Sequence, residues 1–260
     1  MCSSDLHTNT FSEDIYFCAY ARNNGFQVWV DPTIICDHIG QTVFKVDTDV
    51  KTHLEKIADQ DLLPTEHATY LKHMNASPKV VYDIGACVLH WTRKAKEAWP
   101  EAKYYLFDAS DSSIPFFEKS GETWWHGVLS DQDNKDVVFY QDLDNPGGNS
   151  YYKENTDHYG AQHIVRKTGW TLDTVISHYN WKLPDLIKMD IQGAELDVLR
   201  GAPKCLAHAK DVILEAQHVN YNEGAPKVEE IIEYMESQGF KLVANFCKGD
   251  VDGDYHFTRV

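Results

Sequence analysis

The sequence predicts an α/β domain, from about residue 78 to residue 260, in which a mainly parallel sheet carries helices on both faces. Two observations lead to this prediction. Along this stretch, short apolar runs bounded by turn-forming residues alternate with segments of helical spacing. In addition, a composition of 43% hydrophobic and 12% aromatic residues can fill a sizeable core. Because parallel strands need long crossover connections, such alternation favours a parallel sheet.

The predicted elements follow one another in a regular order. Short apolar runs predict strands at 80–84, 104–107, 124–129, 137–140, 186–190, 212–214, 240–246 and 255–260. Helical spacing predicts helices at 90–98, 114–119, 172–179, 194–199 and 228–237. The Asn, Pro and Gly residues at 145–149 predict a loop. We interpret the segment 145–152 either as a lid over a substrate or as a plain exposed loop.

The residues before 78 differ from the rest in composition and in the spacing of their apolar residues. Residues 1–6 resemble a translated sequencing adapter, so we exclude them from fold prediction. Residues 7–46 are dense in aromatic, cysteine and β-branched residues. Residues 47–77 are charged, with helical spacing in the fifties and a second short helix from Pro64 to about Met74. We therefore interpret 47–77 as a helical linker that precedes the main domain at 78–260.

Charge and composition exclude several classes of function. With 40 acidic and 24 basic residues the net charge is −16, so a nucleic-acid binder, which needs a basic surface, is not expected. No run of 18 or more apolar residues predicts a membrane span, and no signal segment opens the chain. The six cysteines are irregularly spaced and form no CxxC pair, which favours reduced thiols and a cytoplasmic protein.

Glycine and acidic residues stand where the first two predicted strands end. Asp83 and Gly85 follow the first strand, and Asp108 closes the second, 25 residues after Asp83. In an open α/β sheet, ligands bind beyond the carboxyl ends of the strands. Gly85 would let a ligand lie against bare backbone, and a carboxylate such as Asp108 can accept both hydroxyls of a ribose. The alternative is that both aspartates only cap strand ends.

The glycine pattern decides between two nucleotide cofactors. A dinucleotide site needs GxGxxG, because its pyrophosphate lies on a helix N-terminus close to bare backbone. Here Cys87 and Leu89 follow Gly85, and no second or third glycine is present. S-adenosylmethionine has no phosphate and carries a positive sulfonium, so it suits this acidic site better than NAD does.

Two motifs resemble the FkbM methyltransferase family. The run DIGACVLHWT at 83–92 is similar to its first motif, and DLIKMDIQGAE at 185–195 to its most specific one, continued at 199–202 and 213–215. The resemblance implies a Rossmann-like class I methyltransferase fold: a mainly parallel seven-stranded sheet with an antiparallel C-terminal strand. The sequence departs from the family at Cys87, where Asn is usual, and at Leu89, where Gly is usual.

The resemblance also implies a cofactor, an activity and binding residues. It implies S-adenosylmethionine as cofactor, and O-methylation of a small molecule or glycan, commonly at a sugar hydroxyl. Asp83, Gly85, Ala86 and Asp108 are the expected cofactor-binding residues. Asp131, after the third strand, resembles an acidic residue that reaches adenine, although a surface turn is an equally good interpretation.

The candidate catalytic residues follow the later strands. Asp190 ends the fourth strand of the sheet, Glu195 lies five residues on, Glu215 ends the fifth strand, and His218 follows it. A sugar hydroxyl is a poor nucleophile, so a base or a cation must assist it. In one mechanism His218 or Asp190 removes the proton. In the other, Asp190, Glu195 and Glu215 hold a divalent cation such as Mg²⁺.

Some of these residues also have structural interpretations. Glu195 can simply favour the helix dipole, and His218 can be an ordinary surface histidine. Lys188, within a buried strand, is expected to pair with a nearby carboxylate.

Residues 7–46 carry a second resemblance, to the C-terminal end of a GT-A glycosyltransferase domain. It rests on the segments 12–18, 25–26 and 37–40 and on Asp31. The half that would bind a nucleotide sugar is missing, and Asp47-Thr48-Asp49 lies too late in the chain to serve as its DxD motif. The fragment implies a parent protein that fused a glycosyltransferase to a methyltransferase.

These observations predict an S-adenosylmethionine-dependent O-methyltransferase that acts on a sugar hydroxyl of a glycan or glycoconjugate. Two alternatives stay open: a methyltransferase of a lipid or secondary metabolite, and a non-catalytic glycan-binding module on the same fold. The expected partner is a glycan or another small-molecule acceptor, and the sequence is also compatible with a homo-oligomer.

Overall fold

A computed structural model of the chain describes residues 70–143, 145–246 and 251–260. The predictions for the adapter-like start, the glycosyltransferase fragment and most of the linker lie outside the described residues. At the end of the linker, where we predicted a helix through Met74, the structure has a short 3₁₀ helix at Tyr70–His73.

The core of the fold is a seven-stranded sheet with the strand order β3-β2-β1-β7-β8-β10-β9. Its members are β1 (Val80–Ile84), β2 (Lys103–Asp108), β3 (Thr123–His126), β7 (Leu186–Met189), β8 (Asp211–Gln217), β9 (Phe240–Asn245) and β10 (Asp252–Arg259). All pairs among the first five strands in this order are parallel, whereas β10 runs antiparallel to both β8 and β9. The predicted mainly parallel sheet with an antiparallel C-terminal strand is confirmed.

Helices cover both faces of this sheet. They are α1 (His90–Ala98), α2 (Ile114–Ser120), α3 (Leu172–His178), α4 (Glu195–Arg200), α5 (Pro203–His208) and α6 (Val228–Ser237). Side chains of β1 alternate between two core clusters: Tyr82 and Ile84 pack with α3 to α6, whereas Val81 packs with α1 and α2. Since strand side chains alternate with a period of two, Asp83 points to the same side as Val81, towards α1.

A second sheet of three strands is inserted between β3 and α3. Its order is β4-β6-β5, formed by β4 (Val128–Leu129), β5 (Lys135–Tyr140) and β6 (Ile164–Trp170). The single strand predicted at 124–129 was wrong, because Gly127 separates β3 in the main sheet from β4 in the small one. Strand β6 was not predicted, since its side chains are mostly half-buried or exposed and give no apolar run.

Membrane spans and disulfides can be assessed for the described residues alone. None of the helices there has the length and apolar character that a bilayer crossing requires. Cys87 and Cys205 fall within this part of the chain, and neither forms a disulfide. The other cysteines lie outside the described residues.

Candidate active site

A cavity of about 240 Å³ opens at the carboxyl ends of β1, β2 and β7. Strand β1 lies between β2 and β7, and its last residue, Ile84, pairs with Phe107 on one side and Met189 on the other. The chain therefore leaves the sheet in different directions around this point, which is where open α/β sheets bind ligands. Residues just beyond these strand ends, among them Gly85, Asp108 and Asp190, line the cavity.

Gly85 occupies a position that no other residue can take without strain. Its φ is +79°, and a Cβ added there would lie 1.8 Å from the carbonyl oxygen of Asp190. Its N–H donates to the Phe107 carbonyl at 2.9 Å, which ties the loop after β1 to the end of β2. Glycine is therefore required here by the close approach of the loops that follow β1 and β7, at the edge of the cavity.

Cys87 and Leu89, which follow Gly85, both have a left-handed backbone conformation that their side chains disfavour. Cys87 has a φ of 46° and Leu89, immediately before α1, a φ of 71°. These are the two positions at which the sequence departs from the family pattern of Asn and Gly, the residues that tolerate this conformation best. The backbone geometry thus persists although the usual side chains are absent.

Asp108 presents its carboxylate to the cavity in a fixed orientation. One oxygen accepts the N–H of Cys87 at 2.8 Å and the other accepts the N–H of Ser110 at 2.7 Å. Burial raises the pKa of Asp108, and these two hydrogen bonds oppose the rise. Each oxygen keeps a further lone pair that can accept a hydroxyl. The residue suits the ribose-binding role predicted for it.

Three other predicted cofactor residues do not line the cavity. Asp83 is fully buried; one carboxylate oxygen accepts the Thr92 hydroxyl of α1, and the other lies 3.8 Å from the Lys188 ammonium. Ala86 is buried beside it. Asp131 pairs with Lys135 at 2.7 Å near the surface, in agreement with the surface-turn interpretation. Asp83 and Ala86 are therefore buried parts of the segment at 83–86 and do not contact the cavity directly.

Asp190 is the predicted catalytic residue that reaches the cavity. Its Oδ2 lies 3.2 Å from the Nζ of Lys188, and its Oδ1 accepts the side-chain amide of Gln192 at 3.0 Å. Burial opposes the charged form, but the Lys188 ammonium lowers the pKa of Asp190 below its usual value. Burial would likewise lower the pKa of Lys188, but Asp190 and Asp83 raise it. Both groups of this pair are therefore held charged.

Glu215 lies behind Gln192 and not in the cavity wall. The Gln192 amide donates to its Oε2 at 2.7 Å, so one amide group bridges Glu215 and Asp190. Burial and the charge of Asp190 raise the pKa of Glu215 well above its usual value. Glu215 therefore stays neutral more readily than an exposed glutamate would.

Glu195 and His218 point elsewhere. The buried Glu195 carboxylate accepts the N–H of Ile191 at 2.9 Å, and burial raises its pKa to about 7. His218 places its Nε2 2.5 Å from the Tyr255 hydroxyl, and it does not line the cavity. Among the described residues no group of three His, Cys, Asp or Glu side chains could hold a metal ion, so the predicted site of Asp190, Glu195 and Glu215 does not form there.

The segment 145–152, which we call the roof segment, closes the cavity from above. Asn149 donates to the Ser110 hydroxyl at 2.9 Å, after β2, and the Ser150 hydroxyl donates to the Ile191 carbonyl at 3.2 Å, after β7. The hydroxyls of Tyr151 and Tyr152 both donate to Asp197 on α4. The roof segment is thus anchored on two sides and is not a plain exposed loop.

Sequence reasoning missed Gln192 and the anchors of the roof segment. Gln192 stands inside the most specific motif, two residues after Asp190, and this adjacency was the available signal. Its left-handed φ of 54° aims its amide back at Asp190, and a sequence pattern does not reveal such a conformation. The contacts of the roof segment join residues 39 to 46 positions apart, so nothing local encodes them.

Comparison with known proteins agrees with this geometry. The family described as the methyltransferase FkbM domain matches residues 83–242. A curated relative, the 2-O-methyltransferase NoeI of Sinorhizobium fredii, is 36% identical over 83 residues, which cover 32% of this chain and 33% of that protein. The aligned part thus spans about a third of the length of the relative.

Solved structures resemble the chain only distantly. Human N-acetylserotonin methyltransferase, in complex with SAM, has a TM-score of 0.45 at 8% identity, covering 81% of this chain and 56% of that one. Precorrin-6y C5,15-methyltransferase from Geobacter metallireducens has a TM-score of 0.43 at 11% identity, covering 74% and 86%. The strand order and the family match, over residues 83–242, carry the assignment: the chain belongs to the FkbM methyltransferase family, on a Rossmann-like methyltransferase fold.

Proposed function

We propose that this chain is an S-adenosylmethionine-dependent O-methyltransferase whose acceptor is a sugar hydroxyl of a glycan or glycoconjugate. The observation that carries the proposal is the cavity itself. It brings Gly85 and Asp108, suited to the nucleoside, to the same opening as Asp190, the one predicted catalytic carboxylate that reaches it.

The cavity wall fits this cofactor in several respects. Asp108 keeps lone pairs for the ribose hydroxyls, and Gly85 offers bare backbone beside them. Phe107, Val128 and Leu129 add apolar surface against which an adenine ring can pack. When bound, the cofactor supplies an electrophilic methyl group on a sulfonium.

Asp190 would act on the acceptor. Its charged carboxylate, fixed by Lys188 and Gln192, can accept a hydrogen bond from the acceptor hydroxyl and take its proton as the methyl group is transferred. Because the pKa of Asp190 is lowered, it is a weak base, and orientation of the hydroxyl is the larger part of its contribution. Support for transfer to an oxygen comes from the similarity to the 2-O-methyltransferase NoeI, and the sugar acceptor is what the resemblance to the FkbM family implies.

Cofactor binding tests the proposal most directly. S-adenosylhomocysteine, the demethylated product, should bind in calorimetry and raise the melting temperature, because a ligand of the folded state stabilises it by mass action. Asp108→Ala should reduce the affinity by about 10-fold or more, since hydrogen bonds to a charged group are lost. Asp131→Ala, which removes an aspartate outside the cavity, is the matched control and should bind normally. Equal stabilisation by NAD would contradict the proposal.

Turnover tests the acceptor. Incubation with S-adenosylmethionine and a panel of glycosides should release S-adenosylhomocysteine and yield a methyl ether, identified by mass spectrometry. Methylation of phenols or lipids, with no glycoside accepted, would support the methyltransferase activity and contradict the sugar acceptor. Binding of glycosides without any transfer would favour the non-catalytic module.

A further inference from the structure

We infer that the acceptor is uncharged around the hydroxyl that is methylated, so that sugars bearing a carboxylate, sulfate or phosphate there are excluded. The inference rests on the proposed function and narrows its substrate class. It is carried by two independent features of the cavity, the charges of its wall and the hydrogen-bonding groups that the wall leaves open.

The charged groups of the wall are negative. Asp108 and Asp190 both line the cavity, and neither lysine nor arginine lines it among the residues that the structure describes. The one titratable nitrogen in this lining belongs to His90, at the start of α1. From the protein itself, an anionic acceptor would therefore meet two carboxylates and no permanently charged cation.

The ammonium groups of Lys188 and Lys167 are already engaged in ion pairs and hydrogen bonds. Lys188 is 6% exposed and is enclosed between Asp190, at 3.2 Å, and Asp83, at 3.8 Å. Lys167 donates to the carbonyl of Ala109 at 2.5 Å and to Asp111 at 2.9 Å. Turning the Lys188 ammonium towards an acceptor would leave the fully buried Asp83 without its cation, which is costly, and turning Lys167 would break its hydrogen bond to the Ala109 carbonyl.

The side-chain donors next to Asp190 are also engaged. The Asn149 amide donates to Ser110 and to the Asp142 carbonyl, and its oxygen accepts the Tyr159 hydroxyl. The hydroxyls of Ser150 and Tyr151 donate to the Ile191 carbonyl and to Asp197. Both amide hydrogens of Gln192 are used by Asp190 and Glu215.

The hydrogen-bonding capacity left unused at Asp190 and Gln192 belongs to oxygen atoms, which accept hydrogen bonds. The side-chain oxygen of Gln192 takes no hydrogen bond from the described residues, and the oxygens of Asp190 keep further lone pairs. Such a surface matches hydroxyl groups, which donate. Carboxylate, sulfate and phosphate oxygens only accept, so they would find repulsion here and no donor among these side chains.

Matched pairs of sugars test the inference. Methyl glycosides of glucose, galactose and mannose are each compared with the 6-carboxylate of the same sugar, with S-adenosylhomocysteine release as the readout. Each pair shares its ring stereochemistry and ring hydroxyls and differs at C6, where a carboxylate replaces the hydroxymethyl group, so the comparison applies to sugars methylated on a ring hydroxyl. The assay is run at pH 8.5, where histidine charge contributes little. For every sugar that is methylated, kcat/KM of the acid should be at least ~10-fold lower, since like charges a few ångströms apart repel strongly in a partly buried site.

The outcomes separate the two claims. Equal or better turnover of the acids overturns the inference and leaves the sugar methyltransferase in place. No turnover of either member of any pair, with S-adenosylhomocysteine still bound, overturns the sugar assignment and the inference with it. Preference for the neutral member, unchanged in the control variant Asp136→Ala on the exposed side of β5, supports both.

Discussion

Lys188 is enclosed by the sheet, and two aspartates of adjacent segments share its ammonium. Asp83 belongs to β1, which leads to Gly85, and Asp190 directly follows β7. The Thr92 hydroxyl of α1 donates a hydrogen bond to the Asp83 carboxylate. Substitution of Lys188 by a neutral residue would leave the fully buried Asp83 without its cation, so Lys188 holds the ends of β1 and β7 together.

Asp190 and His218, both predicted as bases, should now behave differently. Asp190→Asn should lower kcat by about 100-fold, because the charged acceptor that orients the hydroxyl and takes its proton is lost, with little change in S-adenosylhomocysteine affinity. His218→Ala should leave kcat within a few-fold, because its ring contacts Tyr255 outside the cavity. Steady-state kinetics and calorimetry on both variants measure this. A large loss of kcat in His218→Ala alone would return the base role to the histidine.

Glu195 should make the folded state less stable as pH rises. Its pKa is raised from 4.5 to about 7, so the folded chain binds the proton more tightly than the unfolded chain. Its contribution is therefore fully present below pH 4.5 and is lost as pH rises through 7, by up to about 3 kcal/mol. Glu195→Gln keeps an oxygen for the Ile191 N–H and removes the titration.

Melting temperatures at pH 5 and pH 7.5 measure the effect of Glu195. The variant should gain stability relative to wild type at the higher pH. The exposed Glu233→Gln on α6 serves as the control and should show no such gain. A constant difference between Glu195→Gln and wild type at both pH values would contradict the buried titration.

The roof segment should affect the binding of the acceptor more than the binding of the cofactor. Ser150→Ala removes the bond to the Ile191 carbonyl and the bond from the Tyr152 N–H, and so loosens the roof segment over Asp190. We expect acceptor KM to rise about 10-fold, the effect of roughly one net hydrogen bond, with S-adenosylhomocysteine affinity unchanged. Ser237→Ala, at an exposed position at the end of α6, is the control. Equal losses of acceptor and cofactor binding would show that the roof segment serves both.

The sequence predicted the main sheet far better than the insertion. The buried strands carry continuous apolar runs, which is why β1, β2, β7 and β8 were found with their order along the chain. Strand β6 escaped because its residues alternate between exposure and partial burial. Within the site, the residues at strand ends were predicted, whereas side-chain directions were not. The alternation of β1 turns Asp83 away from the cavity, and a buried backbone N–H turns Glu195 inward.

At the scale of the whole molecule, the sheet already has helices over both faces without the N-terminal residues. Tyr82 and Val81 lie in separate core clusters, one on each side of β1. Deletion of residues 1–46 should therefore leave S-adenosylhomocysteine binding intact and shift the melting temperature of the domain by only a few degrees. Circular dichroism and calorimetry on the shortened chain measure this. An unfolded product would show that the boundary near residue 47 is wrong.

The inserted sheet leaves the main fold and returns to it at neighbouring points. Leu129 pairs with Trp170, and the N–H of Ser130 donates to the Trp170 carbonyl at 2.9 Å, so the chain from 131 to 169 begins and ends at one place. Residues 131–169 therefore form one continuous insertion, both ends of which lie at the same place in the fold. Exchange of residues 131–169 for the corresponding excursion of another family member would leave both junctions, Gly85 and Asp108 untouched. We expect such an exchange to change the acceptor preference and to leave S-adenosylhomocysteine binding unchanged, because the acceptor would lie beneath the exchanged residues and the cofactor would not.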